Sequence, residues 1–246
     1  MKVILGVFMG ILAVVIVLVL VAGYFGFVPG LDKVFGADKP VDLGVTYTQA
    51  NLQNGLKKGN IQHVDLPAST SVAQSLTYSG QQASNTSLTD EEATALVNET
   101  PWIYSPVHDV QIRFNADGSA EFSAILDLDK LQDYAIARGY TRDQFKLVLD
   151  RVGNYAVIQN SMPIYMKGTA SVINGVMNFN VSNAKLGRLS LPVSQINDNK
   201  SALLDLALEG ITRIPGFSVK NFSISDGQMH FEGTLPQTVQ RAVANK

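Results

Sequence analysis

The sequence contains no cysteine, which excludes disulfides, zinc thiolate sites and cysteine nucleophiles and fits either redox compartment. Histidine is almost as scarce. His63, His108 and His230 are the only three and lie far apart in the chain, and one imidazole per site is too few for a dedicated catalytic metal centre. Positive charge is not in excess: 19 Lys and Arg stand against 21 Asp and Glu, a net charge of −2. Such a chain has no electrostatic footprint for nucleic acid and no polybasic cluster to recruit anionic lipid. A Gly-x-Ser-x-Gly elbow, a Gly-Lys-Ser/Thr phosphate loop and a His-Glu-x-x-His pair are also missing. These absences point to a non-enzymatic protein and imply no cofactor.

Charge is absent altogether between Lys2 and Asp32, where Val3 to Val28 is almost wholly Val, Leu, Ile, Ala, Gly and Phe. About 20 apolar residues cross the hydrocarbon core at about 1.5 Å of rise each, so this run is long enough for a transmembrane helix. A cleaved signal peptide has a shorter apolar region that ends at small residues, whereas Val21-Ala22-Gly23 runs on into further apolar sequence. Tyr24, Phe25 and Phe27 before Pro29-Gly30 fit an interfacial aromatic belt and a helix stop. The expected organisation is a cytoplasmic tail at 1–2, an anchor at 3–28, a connector at 29–45 and an extracytoplasmic domain at 46–246 of a single-pass cell-membrane protein. A domain rich in Ser, Thr, Asn and Gln and sparse in Lys and Glu agrees with that side of the membrane. The sequons at Asn85, Asn98, Asn180, Asn199 and Asn221 reflect the same composition.

The domain reads as α+β. Thr48 caps a first helix that ends near Gly59, and Thr89 with Glu92 forms a capping box for a second that Pro101 stops. Val110, Ile112 and Phe114 alternate with polar residues, turn at Asn115 to Gly118, and are answered by Ala120, Phe122, Ala124 and Leu126, which predicts a half-buried hairpin. Two helices follow, the second opened by Thr141 and Gln144 and carrying Phe145, Val148, Leu149 and Val152. Further hairpins turn at Asn174-Gly175 and Asp226-Gly227, the latter with Phe222, Ile224, Met229 and Phe231 as its apolar set. Between them an apolar helix spans about Asp198 to Ile211, and Val239 to Ala244 closes the chain as an amphipathic tail. Hairpins separated by helices, without crossover grammar, predict an antiparallel sheet with helices on one face. Leu191-Pro192 and Leu235-Pro236 end two hairpins alike, and each is expected to lead into a helix.

Few residues offer chemistry. Asp127, Asp129 and Asp133 suggest a calcium loop, but Gln132 and Arg138 occupy the places of its Gly and Glu; Asp129 is better read as a helix cap. Ser182-x-x-Lys185 matches a serine-lysine acyl-enzyme signature, but both fall at a strand end and the companion motifs are missing. Trp102 and Tyr104, in the rigid Pro101 to Pro106 loop, are either a packing plug or a binding lip. Leu203, Ala207 and Ile211 on the apolar helix are the remaining candidate contacts for a ligand or partner.

The Leu88 to Glu92 helix start, the Val110 to Gly118 hairpin and the ending from Ile214 to Pro236 resemble uncharacterised membrane-anchored prokaryotic proteins of the YpmS-like family. These in turn are similar to the tubular lipid-binding (BPI-like) superfamily. The resemblance implies a curved antiparallel sheet around one long apolar helix, here Leu203 to Ile211, and transfers no catalytic residue. It makes a lipid or another apolar molecule the expected ligand. The alternative is a structural protein docking an envelope partner.

Overall fold

The computed structural model describes residues 30–144 and 161–244, preceded by Leu20, Val21, Tyr24 and Val28; the side chains of Phe35, Ala202, Leu203, Leu206 and Ala207 are outside the description. The anchor expected at 3–28 and the helix expected to carry Phe145 to Val152 therefore lie outside the described residues. Among the described residues no helix is long and apolar enough to cross a membrane.

The domain is mixed helix and sheet, built on a curled antiparallel half-barrel. In chain order, short helix α1 (Leu31–Phe35) and helix α2 (Gln49–Gly59) precede strand β1 (Gln62–Leu66), β2 (Leu76–Ser79) and β3 (Gln82–Thr89). Helix α3 (Asp90–Glu99), hairpin β4 (Val107–Phe114) and β5 (Ser119–Asp127), and helix α4 (Leu131–Ala137) follow. Then come hairpin β6 (Ser161–Ile173) and β7 (Val176–Leu186), the short β8 (Leu189–Ser190), helices α5 (Val193–Asp198) and α6 (Lys200–Thr212), and strands β9 (Ser218–Ser225), β10 (Gln228–Leu235) and β11 (Thr238–Ala242).

The large sheet has eight strands in the order β3-β10-β9-β6-β5-β4, with β7 pairing β6 and β8. Strand β6 is the hinge of this arrangement. Its 13 residues are long enough for one edge to pair β5 through Thr169 and then meet β9 at Val172↔Phe222, while β7 takes the other edge. Bulges sit between Lys167 and Gly168 and between Glu232 and Gly233. At both, the glycine lies so close to a neighbouring carbonyl, that of Asn180 or of Ser218, that a Cβ would collide with it. Bulges placed at glycines bend a strand and raise its twist, which is how this sheet curls.

The three hairpin turns form where the sequence places them, and Asn174-Gly175 and Asp226-Gly227 both take the paired positive φ of a type I′ turn (51° and 80°, 53° and 70°). Capping bonds form at Thr48, Thr89 and Thr141. Several expectations fail. The closing tail is not an isolated amphipathic segment but strand β11, which pairs β2 antiparallel and β1 in parallel in a second, three-stranded sheet. A parallel partner from the other end of the chain leaves no local pattern to read. The Leu-Pro likeness is no repeat, because Leu191-Pro192 leads into α5 whereas Leu235-Pro236 leads into a strand. Asp129 caps nothing: it lies inside a 3-10 turn, Leu128–Lys130, and the α4 N-cap makes no side-chain bond. The connector at 29–45 is held against the domain, where Ala37 and Leu43 are buried and Gln111 Oε1 accepts from Leu43 N–H at 2.7 Å.

The edge strand β4 has no strand partner beyond β5. Helix α3 supplies one. Asp90, Thr94 and Asn98 are spaced four apart and so share one helical face. Asp90 Oδ1 accepts from Phe114 N–H at 2.6 Å, Thr94 Oγ1 from Ile112 N–H at 3.0 Å, and Asn98 Oδ1 from Val110 N–H at 3.0 Å, while Asn98 Nδ2 donates to Val110 O at 2.8 Å. Burial raises the Asp90 carboxyl above its usual range, partly offset by the Phe114 N–H, with Glu91 adding to the rise. On the other ribbon Asn197 of α5 treats Val181 of β7 as Asn98 treats Val110, accepting from its N–H at 3.0 Å and donating to its carbonyl at 2.8 Å. Both devices satisfy backbone groups that would otherwise template pairing with another chain. Beneath α3, Ala93 packs on Phe114 and Ile224, with Leu88, Ile112, Ala120, Phe222 and Met229 around them.

Candidate functional site

Because side chains alternate across a strand, the β3-β10-β9 sheet has two chemically distinct faces. Met229 stands opposite both Leu88 and Ile224, and Phe231 opposite Thr86 and Phe222, so these residues share one face. Glu232 stands opposite Asn85 and Asn221, and His230 opposite Ser87 and Ser223, on the other. One face is apolar and the other polar.

The apolar face is not covered flush. Helix α2 rests on α3 where Gly55 meets Leu96, so closely that a Cβ on Gly55 would come within 2.9 Å of the Leu96 side chain. Lys58 Nζ pairs at 2.6 Å with Glu92, a buried carboxylate whose Oε2 also accepts from the Thr89 N–H at 3.1 Å. Between this helix pair and the sheet lies a cavity of about 470 Å³. Its walls are Gly55, Gly59 and Ile61 on the α2 side, Leu96 of α3, Thr86 and Leu88 of β3, and Met229, Phe231 and Leu235 of β10. Phe217, Val219 and Phe222 come from β9 and its approach, and Ala170, Val172, Met177 and Phe179 from the β6-β7 hairpin, with Ser171 and Asn178 at the margin. Phe217 and Phe231 stack with centroids 6.0 Å apart. Among the described residues no ionisable side chain lines the cavity, and its size falls within the roughly 300–1,000 Å³ of small-molecule sites. It can hold an apolar group, and its described polar lining is limited to Thr86, Ser171 and Asn178.

The opposite face carries a second hollow of about 370 Å³, lined by Asn85, Asn221, Ser223, His230 and Glu232, among others. Glu232 is held below its usual range by Lys220, paired at 2.6 Å, and by Asn221. At the tip of the β6-β7 hairpin, Ile173 and Val176 flank the turn at 62% and 64% exposure.

Of the candidate contacts, Trp102, Tyr104 and Ile211 are not among the residues lining the cavity. Trp102 is half-buried, edge-on to Tyr104 (6.1 Å), tilted against Tyr134 (5.7 Å), and donates from Nε1 to the fully buried Ser75 Oγ at 3.3 Å. It ties the loop to α4 and to the turn before β2; neither Trp102 nor Tyr104 lines the cavity. Ile211 is half-buried near the end of α6, where Arg138 Nη2 donates to Gly210 O at 3.0 Å, and it does not line the cavity either. The side chains of Leu203 and Ala207 lie outside the described residues, and α6 itself packs on β7 and α5. Ser182 Oγ donates to Lys167 O at 3.2 Å, and Lys185 Nζ sits 5.7 Å over the Tyr165 ring, so each has a partner of its own. The three histidines are scattered on β1, β4 and β10, and no cluster of metal-binding side chains exists among the described residues.

The cavity escaped the sequence because its walls come from seven elements whose individual patterns signal only a core. Gly55 and Gly59, an unusual pair inside a helix whose apolar face should be bulky, were the one available sign. No family model, curated protein or solved structure matches the chain.

Proposed function

We propose that this protein is a membrane-anchored, extracytoplasmic, non-enzymatic domain that takes up a lipid or similar apolar ligand in the cavity between α2, α3 and the β3-β10-β9 face. The observation that carries this reading is the cavity wall, which is built mainly from aliphatic and aromatic side chains and glycine, without an ionisable group among the described residues. Apolar surface left uncovered costs about 25 cal/mol per Å² in contact with water, so a hollow of this kind persists best when something apolar occupies it. The uncharged run from Val3 to Leu31 supports the anchor. The docking alternative has less behind it, because two sheet edges are closed by Asn98 and Asn197. The likeness to lipid-binding proteins of the BPI-like type agrees with the ligand class, and among the described side chains the cavity is roofed from the α2 side.

Native mass spectrometry of the full chain, extracted in mild detergent, tests the proposal. Co-purifying lipid is expected on the wild type and not on Gly59→Trp, since Gly59 lines the cavity and a Cβ there has no atom within 4 Å, which leaves an indole room to fill it. A ligand-free wild type, or equal lipid on both proteins with unchanged circular dichroism, overturns it.

A further inference from the structure

A lysine leans on one of the rings that line the cavity. Lys200, the first residue of α6, holds its Nζ 5.7 Å from the ring centroid of Phe179, one of the rings lining the cavity. Its side chain is half-buried and forms no salt bridge among the described residues. A lysine leaning on an aromatic face keeps three donors to offer, and an ammonium partly shielded by a ring is stronger toward an anion than one in open water.

The size of the cavity limits what can lie behind that cation. A water molecule takes about 30 Å³ of liquid volume, and a methylene is of similar size. About 470 Å³ is therefore room for roughly 15 such groups, enough for one long acyl chain. Resting on the proposed function, we infer that the ligand is a single-chain anionic amphiphile of the fatty-acid class, its chain in the cavity and its carboxylate on Lys200. The apolar wall sets chain length but cannot tell one head group from another, so head-group selection falls to Lys200.

The test compares palmitate with hexadecanol, which has a chain of the same length and an uncharged head, on the full chain in non-ionic detergent, reading the fraction of protein carrying one ligand by native mass spectrometry. The expected result is a preference of about tenfold for palmitate, the effect of one charge-assisted hydrogen bond, lost in Lys200→Gln and kept in Lys200→Arg. Equal binding of the two ligands, or a preference that survives Lys200→Gln, overturns the head-group assignment and leaves the cavity reading standing. Binding of neither ligand, with wild type indistinguishable from Gly59→Trp, removes both.

Discussion

Replacing Asn98 by leucine isolates the bond that closes the β4 edge. The side chain keeps its approximate volume and loses both bonds to Val110, whose N–H and C=O are then left without partners at a residue only 2% exposed. An unsatisfied buried backbone group costs about 1–3 kcal/mol, and the added apolar surface recovers part of that, so the expected loss is about 2–5 kcal/mol. For a domain of this size each kcal/mol shifts the midpoint by about 2–4 °C, which places Asn98→Leu roughly 4–20 °C below wild type. Val97→Ala, one residue away and exposed, is the control and should move stability by no more than about 0.5 kcal/mol. Asn98→Asp adds a chemical readout. It keeps an acceptor for the Val110 N–H but turns a second oxygen toward the Val110 carbonyl, so acidification, which restores a donor there, should return part of the lost stability relative to Asn98→Leu. Thermal unfolding of the full chain in detergent, followed by circular dichroism, measures all four proteins. Equal midpoints for Asn98→Leu and Val97→Ala would refute the reasoning, because the edge would then be satisfied by something other than the helix.

The small sheet should respond to acid. Burial first, and then the Arg241 guanidinium at 3.0 Å, hold His63 below its ordinary range against the pull of Asp65; its contribution is full above pH about 6.5 and declines as the unfolded chain takes up the proton first. Urea midpoints at pH 7 and pH 5 should therefore fall further for wild type than for His63→Gln, and equal falls would contradict the assignment. Gly59→Leu should melt above Gly59→Ala, since burying the larger side chain in the cavity contributes up to about 1.5–3 kcal/mol; equal midpoints would mean that the side chain stays in solvent. Ser182→Ala and Lys185→Ala should leave lipid retention unchanged, and a fluorophosphonate or β-lactam probe should not label Ser182; labelling lost in Lys185→Ala would establish an acyl-enzyme.

What the sequence revealed and what it hid follow from the range of the forces involved. Capping at Thr89 and Glu92, the Asn174-Gly175 turn and the alternation of Val110, Ile112 and Phe114 depend on neighbours within a few residues, and each took the form its chemistry dictates. Gln111 shows the limit of such reasoning. It sits on the polar face as the alternation requires, yet its carbonyl oxygen accepts from the N–H groups of Leu43 and Val45, 68 and 66 residues earlier, and so ties the connector to β4. Strand β11 is the same case on a larger scale, because Asp65↔Arg241 and its neighbours pair the beginning of the domain with its end. The candidate site was least legible. An apolar residue that lines a cavity and one that fills a core have the same composition and the same period; what separates them is whether a partner stands opposite, and no pattern within one element records that.

The cavity and the closed edge have one cause. A helix with an apolar stripe ordinarily settles over the middle of a sheet, where it covers the most surface. Helix α3 covers the sheet through Ala93, which packs on Phe114 and Ile224, and Asp90, Thr94 and Asn98 fix its height by accepting from the Phe114, Ile112 and Val110 N–H groups of β4. Helix α2 is carried by α3 through the Gly55-Leu96 approach and the Lys58-Glu92 pair, and meets the sheet at β3, where its C-cap Asn60 bonds Gln82, with the cavity as a gap between it and the rest of the face. The glycines on its underside, small where a core helix would be large, leave that gap unfilled. Polar bonds at the edge thus set the height of an apolar roof several residues away, and a weakened edge such as Asn98→Leu should loosen lipid retention as well as stability. A substitution that only filled the gap would separate the two.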